Sequence, residues 1–249
     1  MQQYFKKHLI NFRGVRLKSK YILFESDDWG GIRIPNQTIK KKLEQQDLIN
    51  KNDPFSNFDT LESTDDINSL FNVLAKFKDC NGKPPILTTN FILNNPDFSN
   101  ISKDNFKKYY SENFIKTYKS YKGSEDAWET ILKGMTDNYI KPQFHASEHL
   151  NVVRWMKYLD SGDKRFHSAF KKNCFSINDI TINNRRKNLM ATYDYANSLE
   201  LNFVKSSINN GLKQFNKIFG YQSITSIAPC YVWDEQIERE LQAGGVKGL

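Results

Sequence analysis

Two short stretches hold the residue types and spacing from which hydrolytic metal chemistry is built. His145-Ala-Ser-Glu-His149 sets two imidazoles four residues apart. On a helix this spacing puts both rings on one face, with Cβ atoms roughly 5–6 Å apart. That is close enough for one ion at Zn–N distances of about 2.0–2.1 Å. The second stretch, Ser26-Asp27-Asp28-Trp29-Gly30, offers two adjacent carboxylates. The chain has only 4 histidines, so two at ligand spacing are hard to ascribe to chance.

A divalent ion on Asp28, His145 and His149 has three protein ligands and keeps a position for water, as hydrolytic rather than structural sites do. Such an ion brings the pKa of its water towards about 7 and polarises a carbonyl. Asp27 can then accept the water's proton. On a plain strand neighbouring side chains diverge, whereas on a turn just past the strand both acids reach one cavity. Plainer readings exist for each element: Asp27 and Asp28 as turn or capping acids, one buried and one surface histidine, Asn90 as a turn residue, 229–233 as a core-filling loop. Their coincidence favours a shared site.

Elements that would carry these residues alternate along the chain. Strands are expected at 21–25, 85–91, 139–144 and 223–228, with another opening at Val246. Helices are expected at 36–49, at 63–77 behind the capping box Ser63-Thr-Asp-Asp66, and at 124–135. Others are expected from Ser147 to Leu159, over much of 189–219 up to Gly220, and from Asp234 to Gly244-Gly245. Such alternation argues for a parallel α/β architecture. Asp27, Asp28, Thr89, Asn90, His145 and the 229–234 loop all follow strands, which puts them on one rim.

Composition narrows the setting. Among 249 residues, 39% apolar with 18 Phe, there is enough material for a large core, so global disorder is excluded. The net charge of +8 is spread over short runs such as Lys40-Lys41-Lys42 and Arg185-Arg186-Lys187. No aromatic-interleaved signature accompanies them, so the expectation is solvated surface and no nucleic-acid partner. Cys80, Cys174 and Cys230 form no CxxC pair, which suits a reducing compartment. Residues 1–8 lack the apolar run of a secretion signal and no apolar segment approaches 18 residues; a cytoplasmic protein without a membrane span is expected.

Phe24-Glu-Ser-Asp-Asp-Trp-Gly30, His145-Ala-Ser-Glu-His149 and Ala228-Pro-Cys-Tyr231 resemble, in order, the first three motifs of the polysaccharide deacetylases, carbohydrate esterase family 4. The resemblance runs over residues 20–249. It implies a single α/β domain over 1–249, a distorted (β/α)7–8 barrel incomplete at its C-terminus. It also implies a divalent metal, Zn2+ first, and hydrolysis of acetyl groups on a glycan or polysaccharide precursor.

Carried over by motif position, Asp27 is the base and Asp28, His145 and His149 are the metal ligands. A backbone N–H at Cys230 or Tyr231 would serve the tetrahedral oxyanion. Trp29, Asn90 and Trp233 are the expected substrate contacts, with Tyr231 as a further flat face. The chain departs from the family where an Arg orients the base, since Ile227 holds that position and Arg33 is left as a substitute. The first two motifs lie far apart, which marks residues 50–125 as an insertion. A later Leu-x-His, whose histidine is the general acid, would fall past Leu249; neither His8 nor His167 has that context.

Two other readings stay open. His145-Ala-Ser-Glu-His149 fits the H-x-x-E-H of a zinc peptidase, with Glu148 as base and Glu235 or Glu238 as third ligand. It leaves the Asp-Asp-Trp-Gly stretch unexplained. A catalytically impaired, sugar-binding barrel protein would share the metal site without turnover.

Overall fold

Residues 18–178, 180–182 and 185–249 are described by a computed structural model of the chain; His8 lies outside them. In chain order, strand β1 (Glu25–Trp29) is followed by helices α1 (Gln37–Glu44), α2 (Pro54–Phe58) and α3 (Thr64–Leu74). Strands β2 (Leu87–Ile92) and β3 (Asn94–Pro96), helix α4 (Phe98–Lys103) and strand β4 (Ser111–Asn113) come next. Helices α5 (Phe114–Ser120) and α6 (Ala127–Thr136) lead into β5 (Ile140–Ala146), then α7 (Val152–Asp160) and α8 (Lys164–Phe170). The short hairpin β6 (Ile180–Ile182) and β7 (Arg185–Lys187) precedes the long α9 (Ser198–Phe219) and α10 (Glu235–Ala243).

The fold is mixed α/β, organised on a parallel sheet of order β1-β2-β5. Parallel neighbours need crossovers, and helices supply them here. Strand β2, inside the stretch 50–125, is the central one, while β3 and β4 pair antiparallel beside it. Past β5 the 223–228 segment lies alongside but forms no ladder. The Gln143 side-chain oxygen accepts from the N–H groups of Ile224 and Thr225 at 2.9 and 3.0 Å. Phe144 N–H donates to Ser223 Oγ at 2.7 Å, so side chains take the place of a partner strand. Thr225 then bridges Gly248 in parallel, the one trace of the strands expected at 223–228 and from Val246. Among the described residues the parallel strands do not close into a barrel.

Local chemistry explains the boundaries. Ser63 and Asp66 form the expected reciprocal cap of α3, which buries Ile67 and Phe71. Helix α9 buries Leu201, Val204, Ile208, Leu212, Phe215 and Phe219, a 3–4 spacing that makes one apolar stripe, and Gly220 ends it at φ 78°. Gly211 lets α9 close on β5: a Cβ there would lie 2.5 Å from Ser147 Oγ and 2.8 Å from Phe144.

Four expectations shift. The apolar run 21–24 is exposed, Ile22 at 82%, and the first strand starts only at Glu25. Ser147 caps no helix; its hydroxyl donates to Ser207 O, and Asn151 caps α7 instead. Ser124 likewise donates to Glu62 O, so α6 begins at Ala127. Helix α9 starts at Ser198 because residues 189–194 turn back to bind the loop after β5. No helix among the described residues is long and apolar enough to cross a membrane.

Glu62 yields a stability test. Its carboxylate accepts from Tyr118 Oη at 2.8 Å and from Gly30 N–H at 3.3 Å. Burial pushes its pKa up to about 7 from 4.5, against these hydrogen bonds, with the nearby Asp28 charge adding to the rise. Because the folded value is raised, its contribution is intact below pH 4.5 and is lost as pH climbs through about 7. Chemical denaturation at about pH 4.5 and about pH 8 should therefore show wild type losing roughly 3 kcal/mol more than Glu62→Gln over that interval. Parallel pH profiles for the two proteins would contradict this assignment.

Candidate metal centre

Two breaks in strand register build the site. Along β1, Ser26 pairs with Thr89 and Trp29 with Phe91, so Asp27 and Asp28 together oppose Asn90. Along β5, Phe144 pairs with Phe91 and Ala146 with Ile92, which leaves His145 as the extra residue. Bulges of this kind re-aim side chains. The first takes Asp28 into the left-handed region at φ 67°, where Gly31 N–H donates to its carbonyl at 3.0 Å. Both adjacent acids thereby reach one cleft, and Trp29 returns to the core.

Asp28 Oδ1 lies 3.2 Å from His145 Nε2 and 3.1 Å from His149 Nε2. The three residues offer ligand atoms all within 4.8 Å of one another. For Zn–ligand bonds of about 2.0–2.1 Å, a tetrahedron has edges of roughly 3.3 Å, so the two separations suit a shared ion. His145 Nδ1 stands 2.6 Å from the carbonyl of Ile227, an acceptor that orients the ring with Nε2 towards Asp28. Desolvation lowers the His149 pKa against the pull of Asp28, keeping that ring neutral and able to ligate. Desolvation alone would raise Asp28; the imidazoles of His145 and His149 and the Arg33 guanidinium overcome it and hold the carboxyl far below the usual range. Donor types and spacing fit a divalent cation.

The histidines share no helix. His145 is the penultimate residue of β5, and His149 sits in the loop before α7. That loop is locked from outside. Tyr193 Oη donates to His145 O and Thr192 Oγ1 to Glu148 O, each at 2.9 Å. Asn151 Nδ2 donates to Asp194 O at 2.6 Å. Nothing in the sequence singles out these three, because their role depends on a chain reversal some 40 residues away. Arg33 pairs with Asp28, not Asp27, and its Nε is 3.8 Å from Asp59 Oδ1.

The centre opens into a cleft of about 630 Å3 whose wall includes Asp27, Asp28, His145 and His149. Cys230 and Tyr231 line it too, both with positive φ. Tyr231 N–H donates to Ala228 O at 2.8 Å, closing a turn, so it is committed there rather than to an oxyanion. The expected substrate contacts lie elsewhere. Trp29 is 5% exposed and packs on Phe91; Asn90 is fully buried, and Trp233 is exposed outside the cleft wall. Phe55, from α2, is an exposed aromatic of that wall which the sequence reading passed over.

The peptidase residues are also placed. Glu148 is buried outside the cleft wall, 3.5 Å from Ser207 Oγ, and burial pushes it up to about 7. Neither it nor Glu235 or Glu238 belongs to the cluster of ligand atoms. His167 binds Leu159 O and packs edge-on to Phe106, a structural role. Among the described residues no disulfide joins Cys80, Cys174 and Cys230. Comparison with protein-family models, curated proteins and solved structures gives no match.

Metal content tests the cluster directly. Wild type dialysed against zinc should retain about one ion per chain, and Asp28→Ala or His149→Ala should fall at least about tenfold in affinity. Equal zinc in all three proteins by elemental analysis would rule this centre out.

Proposed function

We propose that the chain is a metal-dependent hydrolase removing acetyl groups from a glycan or polysaccharide precursor. Asp28, His145 and His149 would hold the ion, zinc first. The observation that carries the reading is the split between two adjacent acids. Asp28 is turned to both imidazoles and Arg33, while Asp27 takes its hydrogen bond from Asn90 and lines the same cleft. One carboxylate is thus a ligand and its neighbour is left for proton transfer.

A bound divalent ion supplies Lewis acidity, making water a nucleophile near neutral pH and polarising an acyl oxygen. Asp27 accepts the proton of the attacking water and returns it to the leaving amine or alkoxide as the C–N or C–O bond breaks. Phe55 and Tyr231 give the cleft flat apolar surface, and the amides of Asn50, Asn178 and Asn188 give it neutral donors and acceptors. Such a mixture suits the apolar faces and hydroxyl edges of a sugar. The motif resemblance to polysaccharide deacetylases supports the same reading, and the register breaks support it independently of any family.

Acetate release is the test. Zinc-loaded protein incubated with N- or O-acetylated oligosaccharides should liberate acetate, and Asp27→Asn should lower kcat about 10²–10⁴-fold at unchanged zinc content. Binding of these sugars without acetate release would favour the sugar-binding alternative. Full activity in Asp27→Asn would remove the base from the scheme.

A further inference from the structure

Asp27 has a side-chain partner that the motif resemblance does not supply. The guanidinium of Arg33 is spent on Asp28 and Asp59. Ile227, at the position where an orienting arginine is expected, offers its carbonyl to His145. What reaches Asp27 is the amide of Asn90, whose Nδ2 lies 2.8 Å from Asp27 Oδ1 and 3.0 Å from Glu25 Oε1. Asn90 is fully buried on the central strand, at the register position that the bulge of β1 leaves opposite both acids. Resting on the reading of Asp27 as base, we propose that Asn90 is its positioning residue, a neutral amide in place of a cationic guanidinium.

The geometry gives this amide one orientation. Turned over, it would set its oxygen against two carboxylates. As it stands, one N–H serves each acid, and Asn90 Oδ1 is left buried without a hydrogen-bond partner. Anchored at Oδ1, the Asp27 carboxylate keeps Oδ2 for the proton of the attacking water. Glu25 takes the second N–H from an exposed position and does not line the cleft. An immobile donor on β2 thus fixes a base on β1, and correct placement is worth a large part of what a general base contributes.

Asn90→Ala should lower kcat for acetate release at least about tenfold, with KM within about twofold and zinc content unchanged. A crystal structure of the variant should show the Asp27 side chain turned from its wild-type rotamer. Glu25→Ala should keep kcat within about twofold. Should Asn90→Ala fail to fold, Asn90→Ser, whose hydroxyl is too short to reach Asp27, takes its place. Undiminished kcat, an unmoved Asp27 rotamer, or a loss of activity that tracks loss of zinc would each overturn the assignment. Zinc-loaded wild type releasing no acetate would instead overturn the deacetylase reading, and the Asp27 rotamer would still decide whether Asn90 holds that side chain.

Discussion

The left-handed backbone of Asp28 is the constraint on which the site depends. At φ 67° this residue occupies a region that costs a non-glycine residue roughly 1–2 kcal/mol. In return its carboxylate faces His145 and His149 across the sheet. The surroundings over-determine the turn. Gly31 N–H binds Asp28 O, Glu62 accepts from Gly30 N–H, and Asn95 donates to Gly30 O at 2.9 Å. Gly30 itself cannot carry a side chain, since a Cβ would lie 2.9 Å from Ile92 O. A strained residue persists only where its surroundings over-determine it in this way.

Electrostatics completes what the backbone begins. A half-buried carboxylate beside two buried rings is costly without compensation, and here Arg33 provides part of it from a position between Asp28 and Asp59. Asp59 shows the opposing balance: its desolvation outweighs the help of Arg33, and its pKa rises. Asp28 and Asp59 therefore share one guanidinium unequally. Asp27, held by the neutral Asn90 amide, is not one of the two acids that pair with this guanidinium.

The supports of the site come from far apart. The 189–194 segment pins the histidine loop, and the 223–228 segment supplies the carbonyl that orients His145. Helix α9, closing on β5 through Gly211, presses Ser207 O against the Ser147 hydroxyl. Packing of the long helix and aim of the histidines are thus one problem solved together.

The sequence by itself determined the alternation of strand and helix, the cap at Ser63, the end of α9 at Gly220 and the grouping of Asp28 with the two histidines. Each is written in local residue chemistry or in residue types rare enough to count. It led to the wrong geometry for that grouping: four-residue spacing suggested a helix face, whereas a bulged strand end and a pinned loop bring the rings together. It also cast Trp29 and Asn90 as sugar contacts, although one register break sends Trp29 to the core and sets Asn90 opposite the acids. Bulges, the left-handed turn and the reach of Arg33 arise only when strands pair and distant segments compete for the same hydrogen bonds. Those pairings join residues far apart along the chain, where periodicity carries no signal, so the tertiary structure alone decided them.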